Sequence, residues 1–280
     1  MRSLRGVICL SFVAGMICPS DFVMASGVSS RLPAMAARLF LATPVVPDRA
    51  EDDFNLAVGF FRSKRWDLAE ESFQQFITLY PQHARHNLAR LYLGLTYSAQ
   101  EKYQPAREQF ALFVDAAPDD TGVGEARYRL AECSYYLRDY QQAVPQFQTF
   151  LEKHPGHKLT EWGELFLGDS CNSISNWKQA AATFRQFVTA HPESTLLPQV
   201  KFGLGRALEG LGETAEAIRF YGEVTQTKDG GLVSRSLARI GTLQFDQGEY
   251  AVAAQSYDRI LSDFATSPLA PSAALNSGLA

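Results

Sequence analysis

The sequence is poor in the residues from which active sites and metal centres are built. It holds four cysteines and five histidines in 280 residues. The close pairs His83/His86 and His154/His157 bring no third ligand, so zinc spacing is absent. No serine or cysteine stands in a motif that also supplies its base. Basic residues are outnumbered, 26 Lys and Arg against 30 Asp and Glu for a net charge of −4, and they form no cluster. That excludes a nucleic-acid footprint. The apolar run from Val7 to Cys18 is too short to span a bilayer comfortably. Gly203-Leu204-Gly205 opens like a nucleotide-binding glycine run, but it falls inside a helical segment where packing accounts for it. No catalytic residue, cofactor, metal or small-molecule substrate is expected, and the chain does not read as an enzyme.

Repetition takes the place of chemistry. An aromatic residue recurs at Trp66, Tyr103, Tyr140 and Trp177 with a step of 37 residues, and Thr214 and Tyr250 hold the next two places. Three residues on stand Ala69, Ala106, Ala143, Ala180, Ala217 and Ala253. Four residues after those come Phe73, Phe110, Phe147, Phe184, Tyr221 and Tyr257. Pro81, Pro118, Pro155 and Pro192 close the first four units. An upstream column runs Leu56, Leu93, Leu130, Leu167, Leu204 and Ile240, and each is followed by alanine or glycine.

Within one unit Tyr140, Ala143, Val144, Phe147, Phe150 and Leu151 lie along one stripe of an α-helix, termed helix B. Tyr128 through Leu137 gives helix A, and Arg138-Asp139 the turn between them. Asp139 and Asn176 are expected to cap helix B. The column pattern puts Trp66 and Trp177 in the core. Pro145 lies deep enough in its helix that a distorted first turn is expected. Small residues in both helices allow close approach, and the bulky Phe fills the space beside the crossing. One such hairpin cannot bury its own apolar face, so neighbours must stack.

These columns resemble the tetratricopeptide repeat, whose usual unit is three residues shorter. The resemblance implies an all-α, right-handed superhelical solenoid. Six repeats fall at about 50–81, 87–118, 124–155, 161–192, 198–229 and 234–268. Units closing in F-x-x-F-[IVL]…P before a longer connection are similar to bacterial envelope proteins, the Tol-Pal cell-division coordinator and the outer-membrane assembly lipoprotein. In the fifth unit Asp229 replaces the proline, and Gly230-Gly231 is expected to end the helix. Residues 269–280 read as the start of a seventh repeat or as a capping helix. The former makes the chain the N-terminal repeat region of a larger protein with an enzymatic or anchoring C-terminal part.

Residues 1–25 read as a secretory signal, with Arg2 and Arg5 ahead of the apolar run and Val23-Met24-Ala25 offering a cleavage site. Residues 26–49 read as a linker, in which Arg31 to Leu41 could form a short amphipathic helix. An uncleaved signal or a lipidated Cys18 is the membrane-anchored alternative. Cys133 and Cys171 sit in adjacent helices A. Stacked helices lie about 8–10 Å apart, too far for a disulfide's Cα atoms, so two buried free thiols are expected. His154 and His191, at equivalent helix ends, suit a partly protonated imidazole.

In tetratricopeptide arrays helix A lines the inner surface. The resemblance therefore places Tyr128, Glu132, Tyr135, Leu165, Asp169, Asn172, Phe202 and Arg206 in a protein-binding groove, although Leu165 and Phe202 above all have a packing explanation. Glu132 and Asp169 would form a negative stripe ended by Arg206, suited to a partner segment with Lys or Arg beside an apolar anchor. Members that grip a chain-terminal carboxylate use Lys and Asn here; the matching places hold Tyr128, Leu165, Glu132 and Asp169, so that mode is not expected. The resulting expectation is an exported, periplasmic scaffold for other envelope proteins or peptide segments, in envelope assembly or division. Self-association remains an alternative.

Overall fold

The computed structural model describes residues 49–280, which form thirteen α-helices and no strand. They are α1 (Arg49–Arg62), α2 (Trp66–Leu79), α3 (His86–Ala99), α4 (Tyr103–Ala116), α5 (Val123–Tyr136), α6 (Tyr140–Lys153) and α7 (Thr160–Ser173). The order continues with α8 (Trp177–Ala190), α9 (Leu197–Gly210), α10 (Thr214–Val224), α11 (Gly230–Asp246), α12 (Tyr250–Asp263) and α13 (Ala270–Leu279). Odd-numbered helices are the A helices and even-numbered ones the B helices, so α1–α2 is unit 1 and α11–α12 unit 6. The signal segment with Cys18, and the short helix at Arg31 to Leu41, lie outside the described residues, while Arg49 opens α1. Among the described residues no helix is long and apolar enough to cross a membrane.

The A helices from α1 to α11 all end in the same device. Lys64, Glu101, Arg138, Ser175, Gly212 and Gly248 all have φ between 57° and 79°. The next residue's N–H reaches back five residues, as in Asp139 N to Ser134 O at 2.9 Å and Glu213 N to Leu208 O at 2.9 Å. This turn consumes an orphan carbonyl and reverses the chain. Only Gly212 and Gly248 adopt the left-handed backbone without a Cβ penalty.

Some local expectations are corrected. Asp139 and Asn176 make no capping hydrogen bond. Asp139 Oδ2 instead accepts from Arg107 Nη1 at 2.9 Å, and Asn176 Nδ2 donates to Gln179 Oε1 at 2.7 Å. In both cases another side chain within reach, from the preceding unit for Asp139 and from α8 itself for Asn176, took the place of the local amide. Gly230 and Gly231 open α11 rather than end α10, which stops at Val224; Asp229 caps α11 by accepting from Leu232 N at 3.0 Å. Helix α6 runs through Pro145, which is exposed, so the carbonyl it cannot satisfy faces water.

The stack is held by large-against-small packing. Phe73, Phe110, Phe147, Phe184 and Tyr221 are fully buried, as are Phe76, Phe113, Phe150 and Phe187 one turn later. A Cβ placed on Gly94, Gly168, Gly205 or Gly241 would lie 2.4–2.8 Å from the aromatic ring of its own unit. The upstream small column therefore exists to admit the ring. Leu56, with no preceding unit among the described residues, is exposed. Cys133 and Cys171 are both buried and free.

The opening aromatics are not core residues. Trp66 and Trp177 are half-buried and Tyr250 is exposed, because the first residue of helix B sits beside the hairpin turn, where even a ring that reaches the next unit, as Trp177 reaches Gly210, keeps a side open to solvent. Trp66 packs edge-on against Phe61 at 5.5 Å, and Tyr250 against Phe245 at 5.0 Å. Truncating Trp66 or Trp177 thus forfeits less than the roughly 3–5 kcal/mol of a fully buried aromatic.

Helices A of successive units touch, as in α5–α7, α7–α9 and α9–α11, whereas helices B of successive units make no comparable contact. Closer spacing along the A row bends the stack toward it. Helix A therefore lines the concave surface.

Candidate protein-binding groove

The expected groove residues divide by burial. Tyr128, Leu165, Asn172 and Phe202 are buried between helices, each at most 7% exposed. Tyr128 lies edge-on to Phe147 and Phe150, with ring centres 6.0 and 5.5 Å away. Asn172 Nδ2 donates to Gly203 O at 2.9 Å and ties α7 to α9. Leu165 belongs to the central core cluster. Packing takes up these side chains, and Phe202 alone among them borders an open cavity. Glu132, Tyr135, Asp169 and Arg206 are half-buried on the inner surface.

No free negative stripe survives at Glu132 and Asp169. Arg129 bridges Glu125 at 2.9 Å and Glu132 at 2.7 Å, and Lys158 adds a contact to Glu125 at 3.1 Å. Arg206 Nη1 stands 3.8 Å from Asp169 Oδ1. Burial pushes the Asp169 carboxyl up, with Arg206 and Arg235 acting against it. A Lys-bearing or Arg-bearing segment therefore meets carboxylates that already have partners, contrary to the expected charge preference.

Glu125 behaves in the opposite sense. Burial alone would raise its carboxyl, but the charges of Arg129 and Lys158 outweigh burial and hold it below the ordinary value of 4.5. The native state then binds this proton less readily than the unfolded chain does. Its contribution is fully present above that ordinary value and is lost as pH falls through the lower native one. Melting curves from about pH 6 to about pH 3 should show Glu125→Gln losing stability less steeply than wild type. Equal slopes would contradict this assignment.

An aromatic ladder runs along the same surface. Tyr103 stacks on Tyr136 at 4.7 Å, Tyr136 meets Tyr135 at 5.6 Å, Tyr135 meets Phe166 at 4.6 Å, and Phe166 meets Trp162 at 5.9 Å. Tyr136 remains 38% exposed, which makes it the accessible rung. Sequence reasoning missed Tyr136 and Trp162. The doublet Tyr135-Tyr136 was the available signal, because the matching places hold Ser98-Ala99 and Asn172-Ser173.

Beyond the ladder a cavity of about 630 Å³ opens between α9, α11 and α13. Arg206, Arg235 and Arg239 all face it. Arg239 pairs with Glu209, its Nε 3.0 Å from Oε2, and Tyr221 donates its hydroxyl to the same carboxylate at 3.0 Å. The Arg235 guanidinium lies over the Phe202 ring at 4.4 Å. Arg235 and Arg239 were also missed; their signal is the spacing of four residues on one helix face.

Among the described residues two thiols and two histidines remain to be placed. Burial pushes the Cys133 and Cys171 thiols up to about 12 and about 11, so neither ionises at neutral pH. His154 is held below its ordinary value by burial and by Arg127 and Lys153, which corrects the expectation of a partly protonated helix end. His191 Nε2 instead lies 3.0 Å from Glu164 Oε2. Among the described residues no group of three His, Cys, Asp or Glu side chains is placed to hold a metal.

Stacked helix hairpins with an aromatic inner surface define a helical-repeat scaffold. One tetratricopeptide repeat profile matches residues 45–121, 173–230 and 239–280, and another matches residues 125–157. The chain belongs to the tetratricopeptide repeat family, whose arrays are scaffolds for protein partners or peptides. Among solved structures, a tetratricopeptide repeat protein from Parabacteroides merdae is similar with a TM-score of 0.61 and 17% identity, over 76% of this chain and 79% of that one. MamA from Desulfovibrio magneticus RS-1 is similar with a TM-score of 0.56 and 16% identity, over 63% of this chain and 93% of that one. At these identities the likeness establishes the fold. Comparison with curated protein sequences finds no match.

Proposed function

We propose that this chain is an exported, non-enzymatic scaffold of the bacterial cell envelope that binds extended protein segments along the concave surface of units 3 to 5. The observation that carries the binding half is the ladder of Tyr103, Tyr136, Tyr135 and Phe166. Tyr103, Tyr135 and Tyr136 are partly open to solvent with Phe166 buried behind them, and such rings on a rigid inner surface supply anchoring area at low entropic cost. Export rests on residues 1–25 alone, and the envelope role rests on the resemblance to envelope repeat proteins in the spacing after each proline. Assembly or division is the process these relatives point to.

Binding is tested by recovery of partners from envelope extract. Tyr136→Ala should weaken recovery by about 1–2 kcal/mol in apparent affinity while the melting temperature stays put. Equal recovery by wild type and Tyr136→Ala would move the binding surface elsewhere. Export is read separately, by intact mass after expression in a secreting host. Cleavage after Ala25 leaves a chain beginning at Ser26; a retained segment or a lipid on Cys18 would overturn the soluble periplasmic assignment.

A further inference from the structure

The cavity at the C-terminal end of the groove holds an arginine without a contact ion pair. Arg206 faces Asp169 at a long 3.8 Å, and Arg239 is held by Glu209. Arg235 makes no ion pair or side-chain hydrogen bond among the described residues, although it is half-buried. Its guanidinium carbon stands over the Phe202 ring, 4.4 Å from the centre, and its N–H groups are left for an incoming acceptor. Trp177 and Tyr257 furnish aromatic wall beside it, and Ser272 and Asn276 of α13 furnish polar wall. The volume of about 630 Å³ admits a side chain with its flanking backbone.

We propose that this cavity receives an aspartate or glutamate side chain of the partner segment lying in the groove, with Arg235 as its counter-charge and an adjacent apolar side chain against Trp177 or Tyr257. This rests on the groove reading and assigns the partner's chemistry. A carboxylate accepts two parallel N–H bonds from a guanidinium, and the N–H groups of Arg235 have no partner among the described residues. Burial first and the neighbouring Arg206 second disfavour the Arg235 cation, with Asp169 and Asp229 acting the other way, and an incoming anion adds to that support. The site lies outside the Lys and Asn positions by which other repeat arrays grip a chain terminus, and it reverses the preference for a basic segment expected from Glu132 and Asp169.

The test pans a phage-displayed library of random dodecapeptides, fused through their C-termini, against the full chain. Only side-chain carboxylates are then on offer. Selected peptides should be enriched in Asp or Glu beside Trp, Phe or Leu. The tightest one, synthesised with a fluorescein label, should lose at least about tenfold in affinity for Arg235→Gln, and Arg235→Lys should restore part of the loss. Replacing its acidic residue by the amide should cost affinity against wild type and little further against Arg235→Gln, where the pair is already broken. An unchanged melting temperature for Arg235→Gln confirms that the fold is intact. Peptides without acidic residues, or unchanged affinity for Arg235→Gln, would overturn the proposal. Binding that depends on Tyr136 but not on Arg235 overturns the acidic pocket and leaves the groove standing; binding indifferent to both removes the groove reading as well. Citrate displacing the peptide at a concentration matching the peptide's own Kd would assign the pocket to a free carboxylate and overturn the segment.

Discussion

Phe184→Ala should cost about 3–5 kcal/mol, toward the upper end of that range. The ring is fully buried, and it is flanked by glycine on both sides: a Cβ on Gly168 would lie 2.4 Å from it and one on Gly203 2.5 Å. Neither neighbour has a side chain that could move into the space left behind. The cavity therefore stays open, and its surface adds to the lost transfer energy. Urea unfolding followed by circular dichroism reads the loss. Because each unit contacts only its neighbours, damage to unit 4 should also separate the unfolding of the units on either side, broadening the transition. A companion variant guards the interpretation. Phe184→Leu combined with Gly168→Ala should be less destabilised than the sum of the two single changes, since each single change spoils the same contact in the opposite direction. A loss below about 1.5 kcal/mol for Phe184→Ala would show that the array collapses around the site.

Arg129→Met is the second large effect, at the lower end of about 3–5 kcal/mol because the partners keep some water contact. The arginine and its two carboxylates are each 13–14% exposed at the side chain. Removing the cation leaves Glu132 without an ion-pair partner and Glu125 with Lys158 alone. The cost is then mostly that of poorly hydrated carboxylates left short of partners, Glu132 keeping only the Tyr128 hydroxyl, rather than of lost attraction. Adding Glu125→Gln and Glu132→Gln to Arg129→Met should recover much of the melting temperature. A single variant as stable as wild type would mean that water already solvates this cluster.

The repeat was legible because stacking dictates it. The Ala column, the Phe column and the small residue facing each ring must recur wherever one hairpin packs on the next, and their burial in every described unit follows from that demand. Details governed by which partner happens to be in reach were not legible. Asp139 was read as a cap and pairs with Arg107; Glu132 was read as free and is clamped by Arg129. Trp66 and Trp177 keep strict register yet are only half-buried, because register at a hairpin reports the turn rather than the core. The candidate groove suffered most. Its columns were chosen by position in helix A, but Tyr128, Leu165 and Asn172 are consumed by packing, and the cation cluster needed Arg235 and Arg239 from the next unit. Pairing across units depends on distances that spacing along one unit does not contain.

The central claim is that partners lie along the concave helix A surface. Photo-crosslinking addresses it with benzoylphenylalanine placed at Tyr136, on that surface, and in a second protein at Leu112, an exposed residue of helix B in α4. Both positions are solvent-accessible, so the reagent itself favours neither. In envelope extract the Tyr136 position should give a discrete adduct that the Leu112 position does not. A discrete adduct from Leu112 with none from Tyr136 would place the partner on the convex face and contradict the account.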